Sequence, residues 1–334
     1  MLARVAETLY RTARDLERAD ALARLLEVSQ AAALEGEASN GAGGRLVWER
    51  LVRVVSDMDG FLATHRRADE RSVPWFVTFG RDNPDSIAAC LSRARANARS
   101  VRDRLPSEVW EGVNDAWLGL ADWTPARLTR DGVYLFCRGI RRSNHLIVGL
   151  VEQSMSRDEG WQFMRIGRFL ERAERTARLV QARHGAGDAT MAGALDRHGW
   201  RAMLGDASTH EAYLQVGAAA LSPESIGRFL VLDPRFPRSA AFCVGQVESA
   251  IEDLVAMDAM PVDPAPLTLA RTARDMVDGA ARRPWGGAEV PHLLERLLAR
   301  CESIDAALAD ACFVAGYERA PIGQRAQASR QAQN

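Results

Sequence analysis

The fold of this chain is decided by WQFMRIGRFLERAERTARLVQAR, the stretch from Trp161 to Arg183. Its apolar residues recur at alternating steps of three and four, which is the spacing of one buried helix face. They are Phe163, Ile166, Leu170, Ala173, Ala177 and Val180. At about 100° per residue, a charged group flanks this face instead of opposing it: Arg168, Glu171, Arg175 and Arg178. The stretch therefore predicts a helix whose charged residues border a core.

The same pattern occurs near the beginning of the chain. LYRTARDLERADALARLL, residues 9–26, aligns without a gap with residues 163–180. The identical pairs include Arg14 with Arg168, Glu17 with Glu171, Arg18 with Arg172, and Arg24 with Arg178. Two copies are too few for a solenoid. They indicate two equivalent helices in one core, which a pseudo-two-fold axis would relate.

One glycine of the central stretch suggests how the two helices meet. Gly167 lies near the border of the buried face, and Ala13 stands at the aligned position. A glycine inside a helix costs about 1 kcal/mol relative to alanine. We therefore expect another backbone to approach Gly167 closely.

The composition limits the class of protein. The chain has 334 residues, 47% of them hydrophobic, a mean hydropathy of −0.20 and no apolar run near the ~18 residues of a membrane span. Its first residues lack the apolar centre of a signal peptide. Five cysteines without a CxxC pair are typical of a reducing compartment. We therefore expect a cytoplasmic protein without a membrane partner.

The charge balance argues against a nucleic-acid partner, because the formal net charge is −1. Every basic residue is arginine, and the guanidinium is a fixed fork of donors suited to carboxylates and phosphates. The net charge does not exclude a local pocket lined by arginine residues.

Helix signals dominate the rest of the chain and predict an all-α fold. We expect helices near residues 3–33, 45–66, 84–104, 107–119, 129–154, 158–184, 189–204, 208–220, 223–231, 238–257, 265–281 and 289–316. The best strand candidate is VPWFVTFG, Val73–Gly80, and it stands alone. We expect one helical-bundle domain over residues 1–318 and a disordered tail over 319–334, where polar residues lack apolar periodicity.

The two Glu-Arg faces are the first candidate site. Glu171 is within helical reach of Arg175 and Arg168, and Glu17 of Arg14. Such pairs are usually solvated, but their repetition in the same phase also fits a buried centre to which both helices contribute. That centre would be structural, or it would bind an anion.

Two further arginine groups are candidates. The segment LDPRFPRS, residues 232–239, places Arg235 and Arg238 before a helix that Ser239 is expected to cap; it is a structural turn or an anion site at a helix N-terminus. Residues 81–102 place Arg95 and Arg99 on one helix face, and Asn83 is expected to cap that helix. That face is either exposed to solvent or part of a binding site.

Signatures of catalysis and of metal binding are weak. The motif from Glu289 to His292 is interrupted by proline, whereas a di-metal carboxylate bundle needs two ExxH motifs on regular helices. No HExxH, GxSxG or P-loop occurs. We expect no metal and no cofactor.

A series of motifs in this order resembles a known family: ETLYRTARDLERADALARLL, NPDSIAACLSRARANARSVR, SEVWEGVN, MSRDEGWQFMRIGRFLERAERTARL and LDPRFPRSAAF. The chain is similar over about residues 1–315 to the bacterial alpha-E family, an all-helical domain named for its Glu-Arg motif. The matching positions include Glu17, Arg18, Asn83, Arg95, Arg99, Arg157, Arg168, Glu171, Arg172, Arg178 and Arg238. The chain departs at Ala96, where the family has glutamate, and at Arg11-Thr12-Ala13, where it has an aromatic-apolar-Gly run.

The resemblance implies a context and not a reaction. Family members are encoded beside, or fused to, circularly permuted ATP-grasp amide ligases and transglutaminase-like peptidases. Our preferred hypothesis is an accessory component whose Arg/Glu centre holds an acidic peptide or the ligase. The rival is an enzyme with Glu171 or Glu17 as the acid/base. A pocket with a raised pKa at Glu171 would favour the enzyme.

Overall fold

A computed structural model describes residues 1–40, 43–56, 58–184, 204, 207–215, 221–260, 264–287 and 289–313. This described part of the chain forms fourteen α-helices and no strand, as the sequence predicts. They are α1 (Ala3–Asn40), α2 (Gly43–Val55), α3 (Met58–Thr64), α4 (Ser72–Phe79), α5 (Ile87–Ser100), α6 (Ser107–Leu118), α7 (Pro125–Asp131), α8 (Val133–Ser154), α9 (Glu159–His184), α10 (Ala207–Gln215), α11 (Pro223–Leu232), α12 (Ala240–Ala256), α13 (Ala265–Ala281) and α14 (Glu289–Leu308). The helix expected at 189–204, except for Leu204, and the tail expected at 319–334 lie outside the described residues.

The two aligned helices, α1 and α9, pack against each other at the centre. α1 also contacts α2, α5 and α8, and α9 contacts α12 and α14. The predicted apolar face of α9 is buried along its length. Tyr10 lies against Gly167, and Arg14 reaches Glu171. Because the residue numbers rise together, the two helices run in the same direction. The pseudo-two-fold relation between them stays a prediction.

Gly167 marks the closest approach of the two helices. A Cβ atom at this position would lie 2.3 Å from the backbone oxygen of Tyr10. No side chain fits in that gap, so the backbone approach expected at Gly167 is confirmed.

Two hydrophobic cores flank the central pair. One joins α1 to α2, α4, α5, α6 and α8, and includes Trp48, Phe76 and Phe136. The other joins the apolar face of α9 to α11, α12, α13 and α14, and includes Phe229. The central pair is therefore enclosed on both sides, which places its charged residues at a buried junction.

The best strand candidate, Val73–Gly80, is helical: Val73–Phe79 lie in α4, which ends at Phe79. A short apolar run has no periodicity that separates a strand from a buried helix. The spacing of its buried side chains is helical: Val73 and Pro74 are followed by Phe76 and Val77.

Candidate functional site

Glu171 is a carboxylate of the central pair with a fully buried side chain. It accepts hydrogen bonds from Arg14 Nε at 2.8 Å, from Arg18 Nε and NH2 at 2.7 and 2.9 Å, and from Arg175 Nε at 2.8 Å. Burial would raise its pKa, but the bonds from Arg18 and the charges of Arg14 and Arg175 outweigh burial and hold that pKa well below its ordinary value. Glu171 is therefore an anion at neutral pH.

Glu17, the aligned residue on α1, has the reciprocal arrangement. Arg172 of α9 donates from Nε to Glu17 Oε1 and from NH2 to Oε2, both at 2.7 Å. Arg18 of α1 donates to Glu171 through the same pairs of atoms. Each Glu-Arg dipeptide thus gives its arginine to the other helix and receives one from it. We call Glu17, Glu171 and the arginines that bind them the Glu-Arg centre.

A second aligned pair of carboxylates extends the centre. Asp20 accepts from Arg24 Nε at 2.7 Å and from Arg238 NH2 at 2.9 Å. Burial would raise the pKa of Asp20, but the charges of Arg238 and Arg24 lower it to about 2.

Glu174 occupies the equivalent place on α9. It accepts from Arg178 at 3.1 and 2.9 Å and from Arg14 NH2 at 2.7 Å. Asp20 and Glu174 were not among the residues predicted from the sequence. The signal was present in the alignment, where an acidic residue precedes Arg24 and Arg178 by four positions.

Of the three ion pairs expected within single helices, two are wrong and one is confirmed. Arg175 binds Glu171, as its spacing predicts. Arg168 instead donates to Glu152 of α8 at 2.9 Å, because its position three residues earlier faces that helix. Arg14, expected beside Glu17, crosses to α9.

Arg168 and Arg178 also belong to separate carboxylates. Arg178 binds Glu174 and lies 3.4 Å from Glu302, so neither Arg168 nor Arg178 binds Glu171. Both arginine side chains are nevertheless at least half buried.

Asn83 does not cap α5, as the sequence analysis expected, because Ser86 does. Its Nδ2 donates to the Phe76 oxygen at 3.2 Å, and its Oδ1 accepts from the Asp85 backbone at 3.1 Å. Asp85 in turn accepts from Arg18 NH1 at 2.7 Å. Asn83 therefore positions a carboxylate that touches the centre.

Four of the predicted site residues lie away from the centre. Arg95 binds Asn114 and stacks on Trp117, 4.2 Å from the ring centroid. Arg157 stacks similarly on Trp161. The remaining two, Arg99 and Arg235, are exposed.

The loop before α12 is docked onto α9. Ser239 caps α12, as predicted, by accepting from the Phe242 backbone. Arg172 NH1 donates to the Pro237 oxygen at 3.1 Å, and Thr176 Oγ1 donates to the Arg238 oxygen at 3.0 Å. These bonds hold the loop against α9, where the Arg238 guanidinium donates to Asp20.

A cavity of about 110 Å³ lies where this loop meets α1, α2 and α9. Apolar side chains form most of its wall, including Leu25, Val55 and Phe236. Its charged lining consists of Glu17, Arg24, Arg172, Arg175 and Arg238. We call it the arginine-lined cavity.

The electrostatics of the arginine-lined cavity favour an anion. Burial lowers the pKa of Arg24 to about 10 with help from the charges of Arg238 and Arg141, although Asp20 opposes them. Four guanidinium groups and one carboxylate, Glu17, line the cavity, so its lining carries an excess of positive charge.

A larger polar cleft, of about 580 Å³, opens on the side of α1 that faces α5 and α14. Its charged lining consists of Arg11, Arg14, Asp15, Arg18, Asp85, Arg93, Glu174, Glu302 and Asp305. None of these five acidic residues was predicted as a site residue, because they come from four separate segments of the chain.

The described residues offer no metal site and no membrane-spanning helix. They include no group of three or more His, Cys, Asp or Glu side chains able to hold a metal ion. None of the helices in the described ranges is long and apolar enough to cross a membrane.

Comparison with known proteins gives one family. Similar chains are three proteins described as uncharacterized, Mb2597 of Mycobacterium bovis and MT2643 and Rv2567 of Mycobacterium tuberculosis. Each is 24% identical over 192 residues, which are 55% of this chain and only 21% of the relative. No solved structure matches. The model of the Alpha-E family, a predicted alpha-helical domain with a conserved ER motif, matches residues 1–313. Because the match spans nearly the whole chain, and two Glu-Arg dipeptides form its centre, this chain belongs to the Alpha-E family.

Proposed function

We propose that the chain is an accessory binding component of an ATP-grasp amide-ligase system, which makes or modifies a peptide or isopeptide bond. It would hold a carboxylate-bearing peptide, or the ligase itself, and a transglutaminase-like protein would act in the same system. The observation that carries this proposal is the arginine-lined cavity, in which guanidinium groups border an apolar wall.

The cavity has donors to offer. Arg175 uses only Nε in a hydrogen bond, to Glu171, and its NH1 has no partner among the described residues. Arg238 uses NH2 for Asp20, and its Nε has no partner in the same part of the chain. A charge-assisted hydrogen bond contributes about 1.5–3 kcal/mol. The geometry therefore suits a carboxylate joined to a small aliphatic group, such as a peptide C-terminus or an acidic side chain.

The relatives support a role beside other protein components. The matched segment is 21% of each mycobacterial relative, so most of each relative lies outside the match. A domain that matches only a small part of each longer relative fits an accessory component better than a complete enzyme.

The chemistry of the centre disfavours the rival enzyme. An acid/base residue needs a pKa near the working pH and access to substrate. Glu171 has a lowered pKa and four arginine hydrogen bonds. Glu17 is buried, and both of its oxygens accept from Arg172.

The test is calorimetric titration of the full chain with the co-encoded ATP-grasp ligase and with short capped Glu or Asp peptides. Arg238→Ala should weaken binding about ten- to a hundredfold. Arg235→Ala is the matched control, since Arg235 is in the same loop, is 78% exposed and does not line the cavity. Both variants are checked by thermal unfolding.

Product analysis on the same mixtures separates the two functions. The accessory role predicts binding without conversion in the absence of the ligase. Conversion of a peptide by the purified chain would overturn it in favour of the enzyme, and absence of binding to both ligase and peptides would overturn the binding role.

A further inference from the structure

The polar cleft differs from the arginine-lined cavity in the sign of the charge that it can still accept. Four arginines line it, Arg11, Arg14, Arg18 and Arg93, together with five carboxylates, Asp15, Asp85, Glu174, Glu302 and Asp305. If all are ionised, carboxylates outnumber guanidinium groups by one. What matters for a ligand is which of these groups still has an unused donor or acceptor.

The arginines inside the cleft are already occupied. Arg14 donates through Nε, NH1 and NH2 to three different carboxylates. All three nitrogens of Arg18 and of Arg93 likewise donate to protein oxygens. Arg11, bound to Glu7 and 52% exposed, is the remaining guanidinium of the lining. An anion would therefore lie among carboxylates and meet guanidinium groups that are already engaged by protein oxygens.

The carboxylates, in contrast, keep acceptor oxygens. The Asp15 side chain is only 10% exposed and lines the cleft, yet its bonds all go to Oδ1, and Oδ2 has no partner among the described residues. Asp305 likewise uses only Oδ1 in that part of the chain. Glu302 is 66% exposed. Burial raises the pKa of Asp15, so its ionised form gains from an additional cation.

We propose that the polar cleft binds a primary ammonium group, carried by a peptide or by a free amine. The unused acceptors belong to separate residues on α1 and α14, and the Asn97 amide on α5 adds another, with no side-chain partner among the described residues. An ammonium has three donors that point in different directions, whereas a guanidinium favours one carboxylate in a bidentate fork.

Other cations fit the cleft less well. The described residues that line it include no aromatic side chain, and aromatic faces are what recognise a quaternary ammonium. The described carboxylates also form no group able to hold a metal ion. This site goes beyond the proposed carboxylate site, and the two adjoin at Glu171, whose partners Arg14 and Arg18 line the cleft while Arg175 lines the cavity.

The experiment is calorimetric titration of the full chain with the capped tripeptide acetyl-Gly-Lys-Gly-amide, with its norleucine analogue and with cadaverine. The lysine peptide should bind at least tenfold more tightly than the uncharged norleucine peptide. Tighter binding of the peptide than of cadaverine identifies a peptide amine, and equal binding identifies a free amine. A norleucine peptide that binds as tightly as the lysine peptide overturns the proposal.

Variants locate the site. Asp15→Asn keeps an acceptor for Arg93 but replaces the unused Oδ2, and should weaken lysine-peptide binding about ten- to a hundredfold. Glu302→Gln removes an exposed charge and should weaken it about two- to fivefold. The control Glu295→Gln, an exposed residue of α14 outside the cleft, should have no effect.

If Asp15→Asn and Glu302→Gln both bind the lysine peptide as tightly as the wild type does, the proposal is overturned. If Asp15→Asn does not fold, Glu302→Gln decides, because that side chain is mostly exposed. Arg238→Ala should leave lysine-peptide binding unchanged, so failure here is separate from failure of the carboxylate site.

Discussion

Arg172 and Glu17 form a bidentate ion pair across the interface of α1 and α9, with both nitrogen–oxygen distances at 2.7 Å. The aligned residues Arg18 and Glu171 form the same pair in the opposite direction. The repeated Glu-Arg dipeptide is thus explained by exchange: each helix supplies the arginine that neutralises the other helix's buried glutamate. In both pairs the arginine and the glutamate come from different helices.

Glu171→Ala should destabilise the fold by about 3–5 kcal/mol, because it leaves the guanidinium groups of Arg14, Arg18 and Arg175 without their shared carboxylate. The measurement is the free energy of unfolding in urea. Glu7→Ala is the control on α1, since it removes an exposed pair worth about 0.3–0.5 kcal/mol. A loss below about 0.5 kcal/mol for Glu171→Ala would contradict burial of the centre.

A double-mutant cycle tests the reciprocal pair. Glu17→Met leaves Arg172 buried without its carboxylate, whereas Glu17→Met combined with Arg172→Met removes both charges. We expect the double variant to be more stable than the Glu17→Met single variant, with a coupling energy of about 0.5–3 kcal/mol. Additive losses in urea unfolding would show that the two side chains do not interact.

The sequence predicts which helices form the centre, because the apolar spacing and the aligned dipeptides are visible in it. It also predicts the close approach at Gly167. It does not predict the partners of the arginines, since within one helix several guanidinium groups lie at similar reach of a carboxylate. The choice is made by the neighbouring helix, as Arg168 shows by turning to Glu152.

The lining of the polar cleft could not be predicted for a related reason. Asp15, Arg93 and Asp305 come from α1, α5 and α14, which are distant in the sequence, so no spacing pattern indicates that they lie together. Asp20 and Glu174 could have been found, because the alignment of the two helices places them at the same position. The short run at Val73–Gly80 was ambiguous by its length.

Gly167→Ala should destabilise the fold although alanine favours helices. The new Cβ would lie 2.3 Å from the Tyr10 oxygen, so α1 and α9 would have to separate, at a cost of about 1–3 kcal/mol. Gly139→Ala on α8 is the control, since its Cβ would meet nothing within 4 Å. This substitution should increase the free energy of unfolding by up to about 1 kcal/mol. Thermal unfolding measures both, and equal stabilisation by the two variants would contradict the packing.

Stability should fall in acid on account of Asp20. Its pKa in the folded chain is about 2, against an ordinary value of 3.8. Because the folded carboxylate holds its proton less tightly, the stability that it contributes is complete above about pH 4 and is lost as the pH falls toward 2, by about 2 kcal/mol. Urea unfolding between about pH 2 and 6 should show a shallower fall for Asp20→Asn. Equal slopes in the two proteins would contradict the lowered pKa.

The central claim is that the arginine-lined cavity holds a carboxylate ligand, and filling that cavity tests it most directly. Ala21 lines the cavity and forms no part of the ion pairs, so Ala21→Leu fills the space without removing a charge. The matched control is Ala31→Leu, at an exposed position of the same helix. The measurement is the affinity of each variant for the acidic peptides and for the ligase, by calorimetry. We predict that Ala21→Leu weakens the binding of whichever ligand the wild type binds, acidic peptide or ligase, at least tenfold, while Ala31→Leu binds it like the wild type. Unchanged binding by Ala21→Leu would contradict the claim.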